Sequence, residues 1–423
     1  MGSGHVQPPA TRAPRFRLVF VALAAVLLTA FALGCDREAT PGPDVAVDDP
    51  ASTVSLEGTW RFSQGDDLRW AQLSFDDAGW GTLLVPGIWR FQGVKGDGFG
   101  WYRRRFDVGP ALAGRDLGIE VPYTYYSYEV FVNGRRVEGR YDLPSRLGYL
   151  PAGSVNVFRV PAEILRSTGN LVALRTHGDH GNGGVYRENA RIGPLGKVNR
   201  AFDREIVVQL GTAAICFFIG IYHLVIFFGR KEQRYAYLSY AAYALILSVF
   251  FPGYAGFWYV VARSHWVNSI AEIGAFTASV PIMPIFMHAY FHVKPNWFTR
   301  GAAWLTIGNL AWMFGEIALR GTMTTYLWYF PSVVVAFTVT YVYSIAIVTR
   351  AVRRRENDSW LMLASFVFFS ICTTNDVARF FVLIPGGLRL GHWGFLGFCI
   401  GMAIAIGNQY SRMMQSLAKL STG

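Results

Sequence analysis

The feature that most constrains the fold is a series of seven apolar stretches between residues 206 and 411. Most of them approach the ~20 residues that a helix needs to cross the hydrocarbon core of a bilayer. Some contain glycine or proline, which membrane-spanning helices tolerate. The sequence therefore predicts a bundle of seven transmembrane helices, at 206–228, 235–251, 267–290, 301–319, 326–348, 359–384 and 392–410.

The distribution of charge supports a membrane protein and argues against nucleic-acid binding. The chain has a net charge of +11, yet residues 36–205 carry 21 basic and 22 acidic residues. Residues 206–423 carry 15 basic and 6 acidic residues, and most of the basic ones lie in short gaps between apolar stretches. Positive charge in such gaps orients a protein in the membrane. No basic patch with interleaved aromatic residues indicates a nucleic-acid partner.

The gaps also predict the orientation of the bundle. The first, third and fifth gaps and the C-terminal tail hold eleven basic residues, whereas the second, fourth and sixth gaps hold three. The side with more Lys and Arg faces the cytoplasm. We therefore expect the C-terminus in the cytoplasm and residue 205 outside it.

The N-terminus resembles a bacterial lipoprotein signal. Three arginines precede an apolar run of 16 residues, 18–33, which is short for a span and typical of a signal peptide. The run ends in Ala32-Leu33-Gly34-Cys35, with Asp36 following. The resemblance implies that Cys35 is acylated and that the protein stays at the inner membrane, although a leucine is usual where Ala32 stands. Plain cleavage after Ala32 and an uncleaved anchor remain as alternatives.

The segment between the signal and the bundle predicts a flexible tether and then a β-sandwich. Residues 36–54 are rich in Asp, Pro and Ala and lack an apolar period, which indicates a tether. Residues 55–200 alternate short apolar runs with turn residues, as in a sandwich or jelly roll. Asn133-Gly134 between two alternating runs predicts a hairpin. The predicted strands include LGIEV (117–121), SYEVFV (127–132) and NLVALRT (170–176).

Six elements of this region occur in one order: LEGTWRF (56–62), SFDDAGW (74–80), LVPGIW (84–89), GWYRRRF (100–106), VFVNGRRV (130–137) and NLVALRT (170–176). Together they resemble the sugar-binding jelly-roll domain of family 2 glycoside hydrolases, a galactose-binding-like fold. The resemblance covers roughly residues 55–195 and implies carbohydrate binding. In those hydrolases the catalytic carboxylates belong to a separate barrel, and no carboxylate dyad is evident here. We therefore expect a binding domain, no catalytic residues, no metal and no cofactor.

A glycine-rich polar loop, HGDHGNGGVYRE (177–188), provides the candidate ligand site. Carbohydrate sites combine aromatic surfaces with a few converging polar groups. The candidate ligand-binding residues are Trp101, His177, Asp179, His180, Asn182 and Arg187. In the alternative interpretation, Trp101 belongs to the sandwich core and the loop only packs against the membrane domain.

Three further motifs resemble the bacterial seven-transmembrane receptors with diverse intracellular signalling modules. They are IGIYHLVIFFGRKEQRYAYLSY (219–240), NDVARFFVLIP (375–385) and AIGNQYSRMMQSLAKL (405–420). The resemblance implies an extracytoplasmic jelly-roll sensor, seven spans and a cytoplasmic effector. Only three residues follow Leu420, so we expect the effector outside these 423 residues or on a partner protein. The C-terminal segment 412–423 has apolar residues at helical spacing and predicts an amphipathic cytoplasmic stalk, which a second copy could cover in a homodimer.

Polar residues inside the spans are costly and suggest function. Asp376 and Arg379 are three residues apart on the sixth predicted helix, so we expect them to pair on one face, as a structural pair or a switch. A weaker alternative is a zinc hydrolase, with ligands drawn from His223, His288, His292, Asp376 and His392. A transporter is disfavoured because no inverted repeat is evident. A membrane-held glycan-binding protein without signalling remains open.

Overall fold

The computed structural model describes residues 44–422, except 96–97, 122–123, 125–127, 139–155, 179–182, 186–189, 230–233, 263, 321–325 and 381–389. The described part consists of two β-sheets followed by a series of long helices. The predicted fold class, a β-sandwich followed by a membrane helical bundle, is confirmed.

The larger sheet has seven strands and is almost entirely antiparallel. Its strand order is β4-β3-β5-β10-β7-β8, with β1 beside the end of β5. The strands are β1 (Val45–Val47), β3 (Gly58–Gln64), β4 (Gly81–Val85), β5 (Gly98–Val108), β7 (Tyr128–Val132), β8 (Arg135–Arg136) and β10 (Asn170–Gly178). The predicted hairpin joins β7 to β8, and Asn133 and Gly134 both adopt the positive φ angles, 51° and 85°, that a tight hairpin turn needs.

The smaller sheet has four strands in the order β2-β11-β6-β9. They are β2 (Val54–Ser55), β6 (Leu117–Val121), β9 (Asn156–Val160) and β11 (Arg191–Pro194). Apolar side chains of both sheets form one core, which includes Trp60 and Phe106 from the larger sheet and Ile119, Phe158 and Ile192 from the smaller. Apolar side chains on the facing surfaces of the two sheets fill the space between them, which is why the sheets pack into a sandwich.

The segment predicted as a tether, 36–54, contains two short strands. Val45 pairs in parallel with Phe106, and Val47 pairs with Val108, so β1 extends the sheet beyond the point where β3 stops. Val45 and Val47 are buried in the sandwich core. The prediction of a flexible tether is therefore wrong for 45–47, because two valines spaced by one residue fill an unpaired end of β5.

Eleven strands are followed by helices α1 (Leu195–Gly229), α2 (Arg234–Tyr254), α3 (Phe257–Ala262), α4 (His265–Ser269), α5 (Ala275–Ser279), α6 (Ile282–Tyr290), α7 (Trp297–Arg320), α8 (Tyr326–Arg353), α9 (Ser359–Phe380) and α10 (Gly391–Thr422). A π-helical turn at Ile270–Gly274 joins α4 to α5. Five segments of the described chain are long and apolar enough to span a membrane: Leu195–Gly229, Arg234–Tyr254, Trp266–Tyr290, Trp297–Leu319 and Pro331–Arg353. They match the first five predicted spans, and α9 and α10 occupy the positions of the sixth and seventh.

Helix α1 begins eleven residues before the predicted start of the first span at 206. Val198 and Phe202 of α1 pack with Val157 of β9 in a buried cluster on the smaller sheet. Gly118 of β6 allows this approach, since a β-carbon there would lie 3.0 Å from Val198. The helix therefore starts on the sandwich and continues into the bundle without a break.

Helices α9 and α10 pack closely through glycine. A β-carbon at Gly394 would lie 2.7 Å from the β-carbon of Cys372, and one at Gly397 would lie 2.6 Å from the ring of Phe368. Gly401 lies against Ser365 in the same way. Small residues at such spacing let two membrane helices approach until their backbones are nearly in contact.

Candidate functional sites

The described residues of the predicted ligand loop, 177–178 and 183–185, include glycines that pack against the ring of Trp89. The amide N–H of Trp89 donates to the carbonyl of Gly183 at 3.1 Å, and that of Gly87 donates to Val185 at 2.6 Å. A β-carbon at Gly183 would lie 2.5 Å from the indole ring. At the ends of the loop that the structure describes, glycine is thus required for packing on a buried tryptophan. The candidates Asp179, His180, Asn182 and Arg187 lie outside the described residues.

Trp101 is fully buried on the outer face of the larger sheet. It lies under residues 66–77, which are called the covering segment below. Its ring packs against Phe131 with centroids 5.4 Å apart, and Ala71 and Trp70 of the covering segment belong to the same cluster. In this conformation the ring offers no exposed face to a sugar. Trp101 thus belongs to a separate buried cluster on the outer face and not to the core between the two sheets, which was the alternative considered.

The covering segment is held by Arg103, whose side chain is fully buried. Its guanidinium donates to the carboxylate of Asp77 at 2.7 Å and to the carbonyl of Phe75 at 3.1 Å. Burial lowers the pKa of Arg103, while the partner Asp77 opposes that shift. A buried cation that is paired and hydrogen-bonded in this way fixes the segment at 66–77 against the sheet.

His177 is partly buried and lies near the end of β10, opposite Phe99 of β5. Its ring contacts Phe99 with centroids 5.2 Å apart, and the guanidinium of Arg175 lies 4.3 Å from the same Phe99 ring. Arg175 in turn donates to both carboxylate oxygens of Asp66, at 2.7 and 2.6 Å, and to Glu129 at 2.8 Å. Hydrogen bonds from Arg175 lower the pKa of Asp66 despite some desolvation. Aromatic rings and fixed charges thus meet beside the loop.

Sequence reasoning missed Phe99, Arg175 and Asp66. The period-2 alternation of β10 was a usable signal, because it places residues 175 and 177 on one face of the strand. The pairing of Arg175 opposite Trp101 and of His177 opposite Phe99 depends on strand register, which one sequence does not specify.

A second polar cluster ties the sandwich to helix α1. Arg191 of β11 donates to Glu120 of β6 at 2.6 and 3.3 Å, and it also binds the carboxylate of Glu205 on α1. Glu120 is 1% exposed, and burial raises its pKa to about 7 although Arg191 opposes this. The cluster of Glu120, Arg191 and Glu205 is called the joint below. It links two strands of the sandwich with the first helix of the bundle.

The predicted intramembrane residue Asp376 caps the last helix. Its carboxylate accepts the backbone N–H groups of Leu390 and Gly391, at 2.8 and 2.9 Å, and the side-chain amide of Asn375 at 3.0 Å. An acidic side chain at a helix N-terminus neutralises the positive end of the helix dipole. Arg379 lies on α9, but its side chain is outside the described residues, so the predicted pair with Asp376 stays a prediction.

The buried histidines make hydrogen bonds within the bundle. The ring nitrogens of His288 lie 2.9 Å from the hydroxyl of Thr299 and 3.1 Å from the carbonyl of Val293. The ring of His223 lies 2.8 Å from the carbonyl of Ile219. In the described part of the chain, no three His, Cys, Asp or Glu side chains are grouped to hold a metal ion.

Comparison with known proteins identifies the bundle. Residues 205–409 match the family described as 7TM diverse intracellular signalling. The membrane-spanning part of this chain is therefore similar to that family. The matched region begins within α1 and ends within α10, so it includes α9 and α10 as well as the five apolar segments.

The sandwich is similar to parts of glycosidases. A β-galactosidase of Bacteroides ovatus is 35% identical over 98 residues, which are 20% of this chain and 12% of that enzyme. A putative β-glucuronidase of Formosa agariphila is 28% identical over 135 residues, 29% of this chain and 12% of the enzyme. A solved β-glucuronidase of Bacteroides uniformis shares 20% identity at a TM-score of 0.27, covering 33% of this chain and 17% of the other. The chain thus spans about an eighth of the curated relatives it matches.

Proposed function

We propose that this protein is a membrane signalling receptor. In this proposal the sandwich faces outward and binds a carbohydrate-like or other small ligand, and the seven helices pass the event to a cytoplasmic effector. The effector lies outside these 423 residues or on a partner protein. The protein resides in the bacterial inner membrane with its C-terminus in the cytoplasm.

The observation that carries the proposal is the continuity of α1. One helix begins on the smaller sheet, with Val198 and Phe202 packed against it, and continues as the first span. The joint fixes its outer turns, because Arg191 binds Glu205 of the helix and Glu120 of the sheet together. A module that only captured ligand at the surface would need no rigid connection of this kind. A rigid connection can carry a change in the sandwich into the bundle.

The two halves of the chain support the proposal independently. The bundle is similar to a family described by intracellular signalling. The sandwich resembles parts of enzymes that are named for galactosides and glucuronides, which favours a carbohydrate or a uronic acid as ligand. Those enzymes extend far beyond the matched region, so the likeness supports binding and does not extend to hydrolysis.

The test begins with ligand binding by the full-length protein in lipid nanodiscs. We would screen mono- and oligosaccharides, including uronic acids, by thermal shift and then measure affinity by calorimetry. For any ligand found, hydrogen exchange of the helices would be compared with and without it. The receptor proposal predicts that the ligand changes exchange in α1 and in α10 as well as in the sandwich.

A variant at the joint distinguishes ligand binding by the sandwich from the transmission of that event to the helices. Arg191→Ala removes the bond between sheet and helix, so ligand binding should persist while the change in the bundle is lost or reduced. Arg135→Ala is the control, because Arg135 lies on β8 of the larger sheet and forms an exposed ion pair with Glu163 at 3.5 Å. Ligand binding that leaves the bundle unchanged in the wild type would instead favour a glycan-binding protein without signalling.

A further inference from the structure

The end of the bundle farther from the sandwich contains a polar cluster around Asp358. This residue immediately precedes α9, and its carboxylate accepts three side chains from other elements. Asn408 of α10 donates at 3.0 Å, the hydroxyl of Tyr290 donates at 3.3 Å, and Arg412 of α10 forms an ion pair with it. The loop before α9, the third span and the last helix therefore meet at one carboxylate.

The hydroxyl of Tyr290 has two competing acceptors. It lies 3.3 Å from Asp358 and 3.1 Å from the carbonyl of Ala405, and a phenol has one proton to donate. Tyr290 is buried at the end of the third span. When Arg412 binds the carboxylate, the phenol of Tyr290 can donate to the carbonyl of Ala405 instead. Both Ala405 and Arg412 belong to α10, so these bonds couple the position of α10 to that of the third span.

The backbone of the loop depends on these contacts. Arg355 and Asp358 both have φ of 58°, the left-handed region that residues other than glycine adopt at a cost. Such a conformation persists where tertiary contacts hold it. The bonds from Arg412, Asn408 and Tyr290 to Asp358 are contacts of this kind.

The two ends of α9 hold α10 in different ways. Near the sandwich, Asp376 binds backbone N–H groups of α10, and glycines along α10 pack tightly against α9. At the far end the contact is made by side chains, and the Arg412 side chain is 41% exposed. Water can reach Arg412, whereas the Asp358 side chain is only 9% exposed and the close helix packing near Asp376 cannot open locally.

We infer that Asp358 is a latch: it holds the far end of α10 against α9 and the third span, and its opening releases residues 408–422 while the rest of α10 stays packed. The closed latch exists without any ligand. Its role in output rests on the proposed function, because the released segment would be the part of the receptor that reaches a cytoplasmic effector.

The experiment measures the position of this segment directly. Spin labels are attached to Arg354→Cys and Gln415→Cys, two exposed sites, in the full-length protein in nanodiscs without ligand. The protein without introduced cysteines gives the background, which includes any label at Cys35, while Cys216, Cys372 and Cys399 are buried. Pulsed electron-spin resonance then gives the distribution of distances between the end of α8 and the end of α10.

We expect one narrow distribution in the wild type. Asp358→Asn keeps the residue compatible with positive φ but removes the charge, and Arg412→Gln removes the partner charge. Both should broaden the distribution toward longer distances. Arg412→Lys keeps the charge and should stay narrow, and Asp376→Asn, at the other end of α9, should leave this distance unchanged.

The outcomes distinguish a failure of the latch proposal from a failure of the receptor proposal. Unchanged distributions in both Asp358→Asn and Arg412→Gln would overturn the latch, as would equal broadening in Asp376→Asn, which would indicate general loosening of the helix pair. Because Arg412 is partly exposed, its variants test the latch without removing a buried group. Broadening in the two variants with no ligand-dependent change in the wild type would keep the latch and reject the relay.

Discussion

Glycine in the loop after β10 serves the packing of Trp89, and this gives the first prediction. Gly183→Ala should lower the free energy of unfolding by about 1–3 kcal/mol, because its β-carbon would overlap the indole ring of a fully packed core. Thermal unfolding of the purified protein measures the loss. Gly79→Ala is the matched control, since no atom lies within 4 Å of a β-carbon there. Equal midpoints for the two variants would show that the loop moves aside freely.

Glu120 gives a prediction on pH. Burial raises its pKa from 4.5 to about 7, so the folded protein holds the proton more tightly than the unfolded chain does. The stabilisation is complete below pH ~4.5 and is lost as pH rises through about 7, by at most ~3.5 kcal/mol at about 1.4 kcal/mol per pKa unit. Glu120→Gln mimics the protonated group and should therefore match the wild type at pH 5 and be more stable at pH 8.

The measurement is the difference in unfolding midpoint between Glu120→Gln and the wild type across this pH range. Glu163→Gln, at an exposed residue of the same sandwich, controls for a general effect of lost charge. If Glu120→Gln were instead the less stable protein at pH 8, the bond to Arg191 would outweigh the burial of Glu120.

At the scale of residues, the sequence identified some of the important side chains. It did not identify the groups that they contact. Asp376 was selected because a carboxylate inside a span is costly. Its partners are backbone N–H groups 14 and 15 residues later, on the next helix. Helical spacing reveals neighbours on the same helix only. Trp101 illustrates the same limit, since the segment that covers it is set by Arg103 from the sheet below.

At the scale of elements, the helix pair α9–α10 depends on glycine at the contact face. Gly397→Leu should push Phe368 aside and separate the helices, lowering the unfolding midpoint in detergent and loosening the cap at Asp376. Gly407→Leu, on the same helix but with no atom within 4 Å of its β-carbon, should have little effect. The comparison is read by thermal unfolding, and similar losses in both variants would contradict a specific packing role.

The sequence predicted most elements because their apolar patterns are local. Strands β6, β7 and β10 and the hairpin at Asn133 lie within a residue or two of their predicted positions. The exceptions are elements that tertiary contacts stabilise. Residues 195–205 are too polar to suggest a span, and they form a helix because one apolar stripe lies on the smaller sheet. β1 forms because β5 has an unpaired end.

At the scale of the whole molecule, the distribution of basic residues predicts a topology that can be tested. A reporter inserted at Arg354 should be cytoplasmic, and one inserted after Gly321 should be extracytoplasmic, because eleven basic residues lie on the first side and three on the second. Alkaline phosphatase and a fluorescent protein report opposite sides of a bacterial membrane. A cytoplasmic signal from the Gly321 insertion would contradict the orientation and the outward-facing sandwich together.

The fold of each half followed from pattern and resemblance, but the connection between them did not. Composition separates an apolar half from a mixed half, with a boundary near residue 200. It does not show that this boundary is rigid, which follows from the joint, because Arg191 and Glu205 fix the helix to the sheet. A pair of charges 14 residues apart gives no local signal until the strand and the helix are in place.

The length of α1 has a mechanical consequence. Of its 35 residues, those from 206 to 229 would extend about 36 Å at 1.5 Å per residue, little more than the ~30 Å of a hydrocarbon core. The sandwich would then lie directly on the lipid surface, with no spacer between it and the membrane. A tilt of the sandwich by about 10° would swing the opposite tip of a straight rod of that length by about 6 Å. The helix would pivot at the membrane surface, so a small tilt of the sandwich would move the far end of α1 by more than the ~5.4 Å pitch of one helical turn.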